Sequence, residues 1–151
     1  MSLKPYRIDR LAHDLVLKFR DKNDVLGESH KMRMATAYGL ERFWGEHLRL
    51  EREIKNKDKA LFWKETWTTL CTIMKDAGIS IPNDRVQPDD TATIQTMANK
   101  LWEFDIEQRK IALSVLTELC DSMVWWTQRY KKPRNVDKKS KNGVGGSTDA
   151  R

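Results

Sequence analysis

Few residues in this chain are placed to do bond-making chemistry. His13, His30 and His47 are scattered singly among 151 residues. A general base must sit within hydrogen-bond reach of a partner that orients it, and the sequence does not place such a partner, so solvent-edge or structural histidines are expected. Neither type of Gly-rich phosphate loop is present, nor a His-Glu-x-x-His pair. Cys71 and Cys120 fall inside apolar stretches, "TTLCTIM" and "LTELCDSM". Such settings favour reduced core thiols over nucleophiles, which need a nearby base and a lowered pKa. A zinc site would need Cys and His ligands clustered at short spacings. Asp89 and Asp90 have the chemistry to hold a cation, but with Thr91 behind them they read more simply as a helix cap. The expectation is a binding or scaffolding protein, with no catalytic residue, cofactor, metal or small-molecule substrate.

Charge is the stronger signal. The chain carries 28 Lys and Arg against 22 Asp and Glu, with a formal net charge of +6. Residues 131–151 hold seven basic and two acidic side chains. Residues 1–60 hold 14 against 10, and residues 61–130 hold 7 against 10. One basic side and a basic tail suit a polyanion, provided that folding gathers the charges. Lys31, Arg33, Arg42, Arg49 and Arg52 all fall on one expected helix. They read either as a solvated face paired with its acidic neighbours or as a strip tracking a phosphate backbone. No aromatic RNA-binding signature and no helix-turn-helix pattern accompany them, so any such contact is expected to ignore sequence.

The elements that position these groups read as helices. Gly and Pro number only 7 and 4, too few for a β-sandwich. No apolar run of membrane-spanning length and no signal-type segment occurs, so a cytoplasmic protein without membrane contact is expected. Ile8, Leu11, Leu15 and Phe19 make the stripe of a first helix opening near Pro5, with Ala12 and Val16 widening it. A second runs from Ser29 to about Asn56, bent by Gly39 and Gly45. A third, capped by Asp58, carries Trp63, Trp67, Leu70 and Met74, with Leu61, Thr68 and Cys71 alongside, and ends before Gly78. After an ordered break, "ISIPNDRVQPDD", a fourth carries Ile94, Met97, Ala98, Leu101 and Trp102. "EFDIEQ" reads equally as a tight link or as continuous helix. The last helix shows Ile111, Val115, Leu119 and Trp126 on one track, with Leu116, Met123 and Tyr130 on another. Pro133 stops it, and the remainder lacks apolar periodicity. The expected fold is all-α: a compact bundle of about five helices over residues 1–132, with a disordered basic tail over 133–151. The core is expected to contain Leu11, Leu15, Phe19, Phe43, Trp67, Leu70, Met74, Leu101, Leu116, Leu119 and Met123.

Two adjacent tryptophans in "MVWWTQRYKKPR" point about 100° apart on a helix. Trp126 shares the track of Leu119 and Met123 and belongs with the core. Trp125 follows Glu118, Asp121 and Ser122, a polar track. It either lies flat over a neighbouring helix or meets a partner, a use for which Trp and Arg are favoured.

Three stretches in order carry a family resemblance: "ATAYGLERFWGEHL", "LFWKETWTTLCTIMKDAGI" and the closing "EQRKIALSVLTELCDSMVWWTQRYKK". Within the last, Arg109, Leu113, Leu116, Trp126, Arg129 and Tyr130 fit the rhythm. Over residues 8–132 the chain resembles the small α-helical subunit of type III, RNA-targeting CRISPR effector complexes, most closely the Cmr-type version. The resemblance implies a non-catalytic protein of antiviral defence, present in several copies. These would stack as a filament beside the repeated backbone subunits of the ribonucleoprotein complex and stabilise the guide RNA–target RNA duplex through sequence-independent basic contacts. Lys31, Arg33, Arg42, Arg49, Arg109 and Lys110 are then the candidate phosphate contacts, and Trp125, Arg129 and Tyr130 the candidate contacts between subunits. The rival readings are a helical protein–protein adaptor from a phage or plasmid, and a DNA-binding regulator that uses the basic tail.

Overall fold

A computed structural model describes residues 5–133, with side chains from Arg7 onward. The expected disordered tail therefore lies outside the described residues, except for Pro133. Among these the chain is all-α, without strands: α1 (Pro5–Phe19), α2 (Glu28–Ala35), α3 (Leu40–Glu51), α4 (Lys57–Asp76), α5 (Thr91–Trp102) and α6 (Ile106–Tyr130). Short 3-10 turns cover Thr36–Tyr38 and Ile54–Asn56.

The second expected helix is two helices. Gly39 adopts φ 98°, a left-handed value that L side chains avoid, so it breaks the helix instead of bending it. Gly45, by contrast, sits inside α3 without disturbing it. The end of α4 follows the expectation at Gly78 (φ 82°): the Ile79 amide donates to Met74 O at 2.8 Å and the Gly78 amide to Lys75 O at 3.0 Å. This double closure satisfies carbonyls that the helix end leaves open, and the buried Ile79 packs beneath it. Asn56, not Asp58, occupies the α4 cap position. Asp90 caps α5 by accepting from the Thr93 amide at 3.3 Å. Asp105 accepts from the Gln108 amide at 3.0 Å, which resolves "EFDIEQ" as a break that starts α6.

The bundle closes around α4, which meets α1, α2, α3 and α6, while α1 and α2 both lie along α6. The α4 face differs from expectation. Ala60, Phe62, Thr66 and Ile73 are buried beside Trp63, Trp67, Leu70 and Met74, whereas Leu61 and Thr68 face out. Phe62 meets Phe19 with ring centroids 4.7 Å apart, and Phe43 meets Trp63 at 4.9 Å. Removing one such fully buried ring costs about 3–5 kcal/mol. Ten of the eleven expected core residues are buried and Leu11 is partly so. Trp126 is half-buried at the core's edge, and Ile111 and Trp102 are exposed, contrary to their apolar tracks. The 79–90 strap is ordered by its own anchors: Ile79, Ile81 and Val86 point inward, and the Trp67 indole donates to Pro82 O at 3.1 Å. No helix among the described residues is long and apolar enough to cross a membrane.

Candidate functional site

The last turns of α6 carry a layered aromatic seam. The Tyr130 ring stacks on Trp126 at 5.4 Å, and Trp126 meets His13 of α1 edge-on at 4.6 Å. Asp14 Oδ1 lies 3.2 Å from His13 Nδ1, and the Tyr130 hydroxyl lies 2.8 Å from Nε2. A carboxylate only accepts, so the His13 proton on Nδ1 is directed at Asp14, while the tyrosine hydroxyl, able to donate or accept, serves Nε2. The Trp126 indole donates to Asp9 at 3.0 Å, and Arg20 Nε donates to Tyr130 O at 2.8 Å. These bonds clamp α1 to α6. His13 is thus neither isolated nor free; Asp14 is the next residue, but Tyr130 stands 117 positions away in sequence, a distance at which spacing carries no signal.

Trp125 stands outside that clamp. It is 48% exposed, touches Trp126 edge-on at 4.7 Å, and carries the Arg129 guanidinium over its ring at 3.7 Å. The arginine also donates to Trp125 O at 3.2 Å, so it contacts both the ring and the carbonyl of the same residue. A recess of about 340 Å³ opens beside it, lined by Asp9, Asp121, Ser122 and the two tryptophans. Of the three residues expected at a subunit contact, Trp125 and Arg129 form one exposed patch. Tyr130 is half-buried and engaged in the clamp.

A second patch lies where α5 turns into α6. Trp102 is 64% exposed and Ile106 66%. The sequence placed Trp102 on an apolar helical track, which hid this surface. Beneath it, Arg109 donates to Leu101 O at the end of α5 and to Glu41 at the start of α3. Arg109 is a tie between three helices.

The six expected phosphate contacts lie on three helices. Lys31 stands 3.1 Å from Glu28, whose buried carboxylate also accepts from the Trp63 indole at 3.0 Å. Arg33 pairs with Asp121 at 2.5 Å, Arg49 with Glu46, Arg109 with Glu41, and Lys110 with Glu107 at 3.6 Å. Arg42 instead lies over the Tyr38 ring at 5.7 Å. Five of the six thus have a carboxylate at hand, which weakens their field toward solvent.

The other reactive groups are subdued. Burial pushes the Cys71 and Cys120 thiols up to about 12, far from thiolate at neutral pH. His47 is buried on α3, with Nδ1 2.5 Å from Trp44 O and Nε2 4.0 Å from Glu51. Burial lowers its pKa, against the opposing pull of the Trp44 carbonyl and Glu51, while Lys64 adds to the lowering. Glu51 Oε1 makes no hydrogen bond, although the Lys64 ammonium stands 3.0 Å away, out of alignment. Groups of three or more metal-ligating side chains do not occur among the described residues. Comparison with models of known protein families, with curated proteins and with solved structures finds no match.

Proposed function

We propose that this chain is a non-catalytic small subunit of a type III CRISPR effector complex, of the Cmr-type version, stacking in several copies along the backbone subunits of an RNA-guided, cytoplasmic assembly. The observation that carries the reading is a pair of exposed aromatic patches near the two ends of α6. Ile106 and Trp125 are separated by roughly 28 Å along the helix axis at its usual rise. Different surfaces at opposite ends are what a head-to-tail contact requires, and a head-to-tail contact that does not close propagates a filament. Arg129 over Trp125 at one end and Trp102 at the other are of the types that dominate such interfaces. In this reading Lys31, Arg33, Arg42, Arg49 and Lys110 touch the guide–target duplex. The exposed pairs of Arg33, Arg49 and Lys110 are worth less than about 1 kcal/mol each, so a phosphate can displace their carboxylates, whereas Lys31 faces the buried carboxylate of Glu28. Arg109 joins them only at the expense of its ties to Glu41 and Leu101.

The carboxylates beside five of the six cations favour a second reading: a helical protein–protein adaptor without nucleic acid. The DNA-binding alternative rests on the basic tail, outside the described residues. Tagged chain, recovered from cells expressing a type III complex, separates these readings. Small guide RNA and backbone subunits co-purify on the first, with RNA retention falling steeply as salt rises. Partner protein without RNA at any salt supports the adaptor and removes the first.

A further inference from the structure

The α1–α2 turn and the end of α6 enclose a cleft of about 510 Å³. Arg20, Lys22, Lys131 and Lys132 line it, with Asp21 and Asp24 the only carboxylates among its lining residues. Both carboxylates already face lysines: Asp21 pairs with Lys132 at 2.5 Å, and Asp24 stands 3.9 Å from Lys59. Arg20 uses Nε on Tyr130 O, which leaves its two terminal nitrogens uncommitted among the described residues. Lys22 and Lys131 have no acceptor for their ammonium groups among the described residues. The Lys131 Nζ hangs over the turn, 3.9 Å from where a Cβ on Gly27 would stand. Elsewhere five of the six candidate cations are matched with carboxylates, and Arg42 lies over the Tyr38 ring. Here unmatched cations line a concave surface, and the sequence runs on from Pro133 into Arg134, Lys138, Lys139 and Lys141.

We propose that this cleft binds adjacent phosphate groups on one ligand. Lysines supply point charges and the arginine fork supplies paired donors, the two means by which proteins hold phosphate oxygens. The cleft's volume lies within the usual range for a small-molecule site. Phosphates of this kind come from a free polyphosphate chain or from successive phosphodiesters of a nucleic-acid strand. The inference needs no assembly; only the strand source would deepen the RNA reading.

The test titrates the full chain with inorganic tripolyphosphate by calorimetry and with short single-stranded RNA by fluorescence anisotropy, at one low salt concentration. The cleft variant is Lys22→Glu with Lys131→Glu. The control, Arg52→Glu with Lys75→Glu, makes the same charge change at two exposed sites elsewhere, one just after α3 and one in the last turn of α4. Circular dichroism checks that both fold. Saturable tripolyphosphate binding, weakened about tenfold or more in the cleft variant and less than about threefold in the control, is expected from loss of charge-assisted contacts. RNA affinity falling in parallel identifies a strand as a source; unchanged RNA affinity identifies free polyphosphate. Equal weakening in both variants, or no saturable tripolyphosphate binding, overturns the site. The copurification of guide RNA is unaffected by that failure, so the two ideas fall separately.

Discussion

Arg109→Gln distinguishes a structural tie from a phosphate contact. The guanidinium joins Glu41 at the start of α3 to Leu101 O at the end of α5, and the two charged side chains are only 24% and 22% exposed. Glutamine is too short to reach both. The substitution removes one ion-paired hydrogen bond and one to a carbonyl, and leaves a half-buried carboxylate without its cation. Hydrogen bonds to charged groups contribute about 1.5–3 kcal/mol and neutral ones about 1, while partial exposure returns some of that to water. The net loss is roughly 2 kcal/mol. In a domain of this size that lowers the melting temperature by about 6–8 °C. Lys110→Gln is the control: its pair with Glu107 spans 3.6 Å between side chains 69% and 79% exposed. It should cost no more than about 0.5 kcal/mol. Thermal unfolding followed by circular dichroism reads both. A variant at Arg109 that melts with the parent chain but loses RNA affinity refutes the tie and restores Arg109 to the nucleic-acid surface.

The two glycines of the 36–51 stretch should respond with opposite signs: Gly39→Ala costs about 1 kcal/mol or more because φ is 98°, and Gly45→Ala gains about 0.5–1 kcal/mol because a Cβ there meets nothing within 4 Å. Urea unfolding of both would contradict this if the signs matched. His47 should make stability fall with acid: its folded pKa lies below the unfolded value of 6.5, so the unfolded chain binds more protons. The contribution is fully present above about pH 6.5 and is lost as pH drops from there toward the folded value. His47→Gln should flatten that part of the profile, and an unchanged slope would exclude the histidine as its source.

Periodicity made α1, α5 and α6 legible because each buries apolar residues at helical spacing, whereas α2 buries Met32 beside Glu28 and Ser29; Gly78 and Asp90 act through purely local backbone geometry. The split at Gly39 was not legible, since an interior glycine tolerates a kink or a break and only its φ decides. On α4 a helix contacted by four neighbours buries more than one face, so the flank on Phe62, Thr66 and Ile73 could not be told from Leu61 and Thr68. The polar track of Trp125 set it apart from the core, but whether it covers a neighbouring helix or stands exposed was not legible, because only its surroundings in the fold decide that. Trp102 was not legible as exposed, because its track is apolar and only the α5–α6 corner turns it outward. Cation partners such as Asp121 for Arg33 come from another helix, 88 positions away, which no spacing rule reaches.

The central claim is that the two aromatic patches join copies of this chain end to end. Sedimentation velocity over a concentration series, with the full chain and with Trp125→Ala and Trp102→Ala, tests it most directly. Progressive association of the parent chain is expected, lost in each single variant while melting stays nearly unchanged. A parent chain that remains monomeric throughout, or variants that associate as it does, would contradict the account.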